Sequence, residues 1–250
     1  MNCPPPADMG FRLLPVPGGL PQTAKFDEAL IGLAALQGPT AAVWQATQGL
    51  VVPRTYQRFE AFPHACEVFA RDGWPVTVRQ SGGGIVPQGD GIINLSLAYV
   101  VEGKPLDHSD AAYLLICRII AQALHRFGID SHPQAVEGSF CDGRYNLAVG
   151  SGDFARKIAG TAQLWRRQSI GGGRDTAQVV LVHALILAAI DAPGVTARAN
   201  RFEAMLGSTR HYAGHRIASL HDISAATRAY APKAFALALQ SALETELGAI

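Results

Sequence analysis

VTVRQSGGGIVPQGDGIINLSL, running from Val76 to Leu97, is the stretch whose reading decides the fold. Val76 and Val78 alternate with polar residues as in a half-buried strand, and Asn94 to Val101 extends a second strand in the same manner. Between them lie Gly82, Gly83 and Gly84. Consecutive glycines supply positive-φ positions and exposed N–H donors, so backbone there can approach a ligand, while Arg79 offers a cation for a carboxylate or phosphate. By itself a glycine triplet between strands is equally a tight turn. The phosphate-loop ending Gly-Lys-Ser/Thr and the dinucleotide fingerprint are both absent.

Working outward, Trp44 to Val52 reads as extended, Phe62 to Asp72 as a helix stopped by Gly73, and Trp74 to Arg79 as the strand entering the glycine loop. Upstream, a helix is expected near Lys25 to Leu36, preceded by a proline-rich irregular arm over 1–22. Downstream, Ile116, Ile119, Ile120, Ala123, Leu124 and Phe127 follow the 3.6-residue period. They predict a helix from Ser109 to Phe127, with Ser109 as its cap and Gly128 at its end. Tyr145, Leu147 and Val149 alternate as a strand. The apolar run Val179 to Ile190 is too short to span a bilayer and reads as a buried strand or helix. Ile170 to Arg174 resembles a surface hairpin, and the alanine-rich region 200–250 reads as a helical extension, with a helix entry at Ser219 to Asp222 and a final helix from Pro232 to Leu247.

The chain has 250 residues, 48% of them hydrophobic, which suffices for one α/β domain spanning 1–250. A net charge of +1 with 16% charged residues gives no electrostatic footprint for nucleic acid. Arg166-Arg167 is a small basic edge that could meet an acidic partner. Cys3, Cys66, Cys117 and Cys141 show no paired metal-ligand spacing, His211 and His215 share helical spacing without an acidic partner, and the start lacks a basic head followed by an apolar run. The expectation is a cytoplasmic, non-membrane monomer without a bound metal.

Cys141 is the cysteine that invites chemistry. A free thiol is only about 3 per cent thiolate at pH 7, and the thiolate is the nucleophile. Cys141 lies in a polar, turn-like setting, SFCDGRYNLAV from Ser139 to Val149, whereas Cys117 and Cys66 fall in helices as core residues and Cys3 in the arm. Sixteen positions later Lys157 opens an apparent Ala-Gly turn, ARKIAGTAQ. A facing ammonium would favour the thiolate and donate to an acyl carbonyl oxygen, which suits acyl transfer.

The ordered set Asp27-Glu28-Ala29-Leu30, Arg79-Gln80-Ser81-Gly82-Gly83, Asn94-Leu95-Ser96, Lys157-Ile158-Ala159-Gly160 and Leu185-Ile186-Leu187 resembles the biotin/lipoate protein ligase and octanoyltransferase superfamily. The Cys-x-Gly-x-Tyr-Asn-Leu run is most similar to its cysteine-dependent octanoyl amidotransferases. That resemblance implies a mixed central β-sheet flanked by helices. It also implies an acyl thioester on Cys141 with Lys157 beside it. Substrate would be bound by Arg79, Ser81, Gly82, Gly83, Gly84, Asn94, Gly143, Tyr145, Asn146, Gly160, Thr161 and Gln163, with the glycine loop lining an acyl tunnel. The implied partners are lipoyl-domain proteins, namely the glycine cleavage H protein and 2-oxoacid dehydrogenase E2, and no cofactor is required.

A lipoate-protein ligase that uses ATP and Mg, and a non-catalytic lipoate-binding protein, are the alternatives. ATP-dependent ligases of this superfamily carry a His-Asp pair soon after the glycines, where this chain has Gln88 and Gly89. Ala184 likewise replaces the glycine of their His-Gly step, leaving His183 to be read as a core histidine.

Overall fold

The computed structural model describes residues 10–16, 22–170 and 176–249; most of the proposed irregular arm, with Cys3, and most of the proposed hairpin at 170–174 lie outside these, and within the described part of the arm Arg12–Leu13 are not irregular but a strand paired with Thr40 and Ala41. Among the described residues ten strands form two sheets: β1 (Arg12–Leu13), β2 (Thr40–Trp44), β3 (Gly49–Pro53), β4 (Val76–Arg79), β5 (Val86–Gln88), β6 (Ile92–Val101), β7 (His132–Pro133), β8 (Leu147–Val149), β9 (Arg156–Ser169) and β10 (Thr176–Leu187). The larger sheet is mixed, in the order β1-β2-β6-β10-β9-β8-β7, and only its β1–β2 pair is parallel. The smaller has the order β4-β3-β5. The extended stretch read over Trp44 to Val52 is thus two strands in different sheets.

Six α-helices accompany them among the described residues: α1 (Leu30–Gln37), α2 (Phe62–Arg71), α3 (Pro105–His125), α4 (Ala192–Met205), α5 (Ala225–Arg228) and α6 (Pro232–Leu247). Strand alternation sorts the core. Ile93, Leu95, Leu97 and Tyr99 of β6, with Val180, Val182, Ala184 and Ile186 of β10, pack against Ile116, Ile120 and Leu124 of α3 and Phe235, Leu239 and Leu243 of α6. Burial of each such side chain contributes about 1.5–3 kcal/mol. On the opposite face, α1 covers Ala98, Leu164 and Leu181. The small sheet, α2 and α4 enclose Leu50, Phe69, Leu185, Leu187 and Phe202 beside it.

Two local expectations are corrected. Helix α3 starts at Pro105 behind Lys104, four residues before the expected cap, because proline's fixed φ suits the first helical turn. Ser109 is therefore inside the helix, where its hydroxyl donates to Gln163 Oε1 at 3.1 Å. The residues after Lys157 do not turn. Strand β9 is continuous over 14 residues, its backbone paired with β8 and β10 on either side. Among the described residues no helix is long and apolar enough to cross a membrane.

Candidate active site

The register between β8 and β9 jumps: Leu147 pairs Ala159 but Ala148 pairs Lys157, so Ile158 is an extra residue on β9. Such a bulge breaks the alternation. Ile158 and Ala159 both enter the core beside α3, and Lys157 and Gly160 come to share the opposite surface. A Cβ on Gly160 would lie 2.8 Å from Lys157 Nζ, so the glycine vacates the space that the lysine occupies.

Lys157 is fully buried. Its Nζ donates to the carbonyl oxygens of Phe140 (2.7 Å) and Cys141 (2.9 Å) and stands 5.3 Å from the Phe140 ring centroid. Burial lowers its pKa to about 8, against the opposing pull of Cys141 and Asp142. Two of its three protons thus hold the backbone of the loop that carries the thiol. Cys141 is the one non-glycine among the described residues with positive φ, at 50°. A side chain pays for that conformation with strain unless its surroundings fix it. Here Lys157 holds its carbonyl at 2.9 Å, Asn146 Nδ2 approaches the same oxygen at 3.4 Å, and Asp142 Oδ1 accepts the Val136 N–H at 2.9 Å.

The glycine loop meets this thiol from the other side. The Gly84 N–H donates to Cys141 Sγ at 3.2 Å, and Arg79 Nη2 lies 3.9 Å from it. Burial would raise the Cys141 pKa, but the charges of Lys157 and Arg79 and the Gly84 N–H outweigh it, leaving the thiol below its ordinary value. Cys117 has no such partners, and burial pushes it up to about 12.

Arg79, expected to meet substrate, lines the slot described below and also braces the loop. Its guanidinium donates to Val51 O (3.1 Å), Gly82 O (2.8 Å) and Gly84 O (2.7 Å), so it shapes the loop. The glycines also separate: a Cβ on Gly83 would lie 2.6 Å from Cys141 Sγ, whereas one on Gly82 would meet nothing within 4 Å.

Cys141 stands between two cavities. One is a largely apolar slot running between the sheets past Val51, Val86, Gly160, Thr161 and Leu185. Asn94 lies on its wall, exchanging two hydrogen bonds with Gln88 at 2.8 and 3.1 Å. The other is an open, polar depression lined by Gly83, Gly84, Ser139, Arg210, His211 and Tyr212. Of the other expected binding residues, Asn146 and Gly143 support the Cys141 loop, and Thr161 donates to Tyr145 O at 2.8 Å from the slot wall. Tyr145 stacks on Tyr113 of α3, and Gln163 donates to Ser109 O at 2.7 Å; neither lines the slot.

Ser81 is buried and bonds to His183, which in turn bonds to Asp27. His183 and Asp27 line the slot, so the core-histidine reading misses them. The available signal was polarity inside apolar strands: Asn94 and Ser96 interrupt β6, His183 interrupts β10, and Ser96 and His183 are register partners.

A family model described as the lipoyl protein ligase A/B catalytic domain matches residues 22–227. The chain is 51% identical over 199 residues to an uncharacterised protein of Cupriavidus necator, the match covering 78% of each. It is 33% identical over 181 residues to a Kyrpidia tusciae protein named octanoyl-[GcvH]:protein N-octanoyltransferase, covering 70% of this chain and 59% of that one. A Bacillus velezensis protein of the same name is 28% identical over 124 residues, covering 50% and 42% respectively. The matches therefore span less than two thirds of these two transferases. Among solved structures, lipoate-protein ligase A bound with ATP superposes with a TM-score of 0.63 at 17% identity, covering 96% of this chain and 86% of that one. A bipartite lipoate protein ligase of Thermoplasma acidophilum, described with its E2 lipoyl domain, gives 0.59 at 19% identity, covering 96% and 84%. At these identities the likeness shows the fold.

Proposed function

The chain belongs to the lipoyl protein ligase A/B catalytic-domain family, and from that premise we propose that it is an acyltransferase that moves octanoyl or lipoyl groups onto the lysine of lipoyl-domain proteins through a thioester on Cys141. The observation that carries this reading is the Cys141 thiol, held between Lys157, Arg79 and the Gly84 N–H at the junction of an apolar slot and a polar depression. The slot suits a saturated acyl chain, and the depression is open enough for a protein-borne lysine to approach.

In the first step the thiolate attacks the acyl carbonyl carbon. A C–S bond forms, the donor's bond to that carbon breaks, and the departing donor atom takes a proton. In the second step the acceptor lysine nitrogen forms a C–N bond and the Cys141 thiolate leaves. Lys157 steadies the thiolate in both steps and has one N–H beyond its two carbonyl contacts. The donors and acceptors implied are lipoyl-domain carriers, in keeping with the names of the Kyrpidia and Bacillus relatives.

No nucleotide is required by this route. Residues around the slot fit magnesium and ATP poorly: Gln88 is neutral and paired with Asn94, and the carboxylate of Asp27 is engaged by His183 and Ser96. Mixing the protein with an octanoylated carrier and reading intact mass tests the proposal. The expected outcome is one octanoyl group on Cys141, transfer without ATP, and loss of both in Cys141→Ser. Transfer of free octanoate that depends on ATP would replace this reading with a ligase.

A further inference from the structure

Three loops wall the polar depression beside Cys141: the glycine loop with Gly83 and Gly84, the loop carrying Ser139, Cys141 and Asp142, and the segment Arg210 to Tyr212 that follows α4. The third is firmly held. Asn200 of α4 exchanges two hydrogen bonds with the Tyr212 backbone, at 2.8 and 2.7 Å, and the Ala213 N–H donates to Gly138 O at 2.8 Å, tying this segment to the thiol's own loop. Also on α4 is Glu203, a fully buried carboxylate.

Tyr212 Oη donates to Glu203 Oε1 at 2.7 Å, and Tyr56 Oη donates to the same oxygen. Burial first and the carboxylate second push both phenols above their ordinary pKa, so each keeps its proton for Glu203. The Tyr56 oxygen is left to accept, and Arg210 Nη1 donates to it at 3.0 Å. One N–H of the guanidinium is thereby fixed from behind, while four others make no bond among the described residues, in a side chain that lines the depression. Glu203 Oε2, buried as well, has no partner among the described residues. A half-satisfied interior carboxylate costs stability, and an apolar residue would fill the same space without that cost. What it accomplishes is to orient Arg210.

The thiol's own loop brings the opposite charge. Asp142, exposed and next in sequence to Cys141, accepts the Val136 N–H on Oδ1 at 2.9 Å and has Asn146 Nδ2 at 3.5 Å from the same oxygen. Its Oδ2 bonds to nothing among the described residues. Ser139, 2% exposed, lines the same depression with its Oγ unpartnered. Of the other titratable groups there, Tyr212 commits its proton to Glu203, and His211 is exposed without a bond among the described residues. The depression therefore presents an anchored carboxylate beside the thiol and an anchored guanidinium on another of its walls, neither in an ion pair.

We propose that the depression selects an acceptor lysine with acidic neighbours: Asp142 draws the ε-ammonium to the thioester, and Arg210, held by Tyr56 and Glu203, takes a flanking carboxylate. This rests on the acyltransferase reading above and leaves the bond-making with Cys141 and Lys157. A guanidinium with a free fork suits a carboxylate, and one charge of each sign in a single depression fixes which way round a segment bearing both can dock. Glu203, Tyr56 and Tyr212 act through Arg210 and are positioning residues.

The test uses acyl-enzyme made with p-nitrophenyl octanoate and quantified by intact mass, so that rates are read per loaded Cys141 and any change in loading cancels. Acceptors are acetylated tripeptide amides with a central lysine flanked on both sides by aspartate, asparagine or arginine. At neutral pH and low salt the unaltered protein should prefer the aspartate-flanked peptide over the asparagine-flanked one by about fivefold, as for one exposed charge pair, and the preference should fade near ~1 M salt. Arg210→Glu should reverse the order, so that the arginine-flanked peptide reacts fastest. Equal rates for the three peptides with the unaltered protein, or a uniform slowing of all three by Arg210→Glu, would overturn the proposal and make Arg210 a structural residue. Should circular dichroism show Arg210→Glu unfolded, Arg210→Gln decides: it should erase the preference, and a retained preference overturns the proposal. Asp142→Asn should lower the ratio of lysyl-peptide to trifluoroethylamine reaction by about fivefold, because only the former amine is a cation; an unchanged ratio removes Asp142 from the site. Failure of the unaltered protein to load Cys141, visible before any peptide is added, sinks the acyltransferase reading and this inference together, whereas loading without peptide preference sinks this inference alone.

Discussion

The two faces of the large sheet arise from one alternation and have opposite chemistry. Toward α3 and α6, β6 and β10 present only apolar side chains in contact with helices. Toward the slot the same strands present Asn94, Ser96 and His183, and β9 adds a buried lysine. Unpaired, such groups would each cost about 1–3 kcal/mol or more, so every one of them has a named partner. One face is apolar where it meets α3 and α6, while the other interleaves oriented polar groups with the apolar residues packed under α1 and beside the small sheet.

Truncation on the helical face is the largest expected break. Leu239→Ala should destabilise the fold by roughly 2–5 kcal/mol, read by denaturant or thermal unfolding, because it leaves a cavity among α6, α3 and the sheet. The pH dependence of Cys141 alkylation should not move. If it did, the two faces would be coupled.

Lys157→Ala tests the opposite face. It should slow Cys141 acylation by about a hundredfold or more, taking loss of one charge-stabilising donor as the guide. Iodoacetamide alkylation should shift to higher pH, since burial still raises the thiol pKa while the strongest opposing charge is gone. In the unaltered protein Cys141 should alkylate at lower pH than Cys66 or Cys117, whose thiols burial pushes upward. Transfer should also fall as pH rises through about 8, where Lys157 gives up its own charge. An unchanged alkylation profile in the alanine variant would reduce Lys157 to a structural residue.

The smallest contrast is between adjacent glycines. Gly83, at φ 103° and placed so that an added Cβ would lie 2.6 Å from Cys141 Sγ, should lose roughly tenfold in acylation as Gly83→Ala, in line with a strain of about 1–3 kcal/mol. Gly82→Ala, with open space around it, should stay within about twofold of normal. Matching rates for the two variants would mean that the loop does not press on the thiol as the structure has it.

Local pattern made much of the fold legible. Phe62–Arg71 and Pro232–Leu247 are helical as their periodicity and end residues predict, and Val76–Arg79 is the strand entering the glycine loop; the strand leaving it is Val86–Gln88, which the alternation does not reveal, and the expected strand from Asn94 to Val101 runs from Ile92 in the other sheet. The pairing of Cys141 with Lys157 was likewise readable, because a thiol in a polar loop and a lysine with small neighbours are unusual enough to stand out. Both signals depend on residues close in sequence.

Which segments alternate, which are periodic, and which residue types are available for chemistry follow from the order of residues alone. Tertiary structure alone decided where those types point. The extra residue at Ile158, visible only as a register jump against β8, puts Lys157 and Gly160 on one surface. The contact of Asp27 with His183 joins positions 156 residues apart. Neither follows from neighbouring residues, because strand register and long-range contact are set by the packing of whole elements, which one residue's slip would turn inside out.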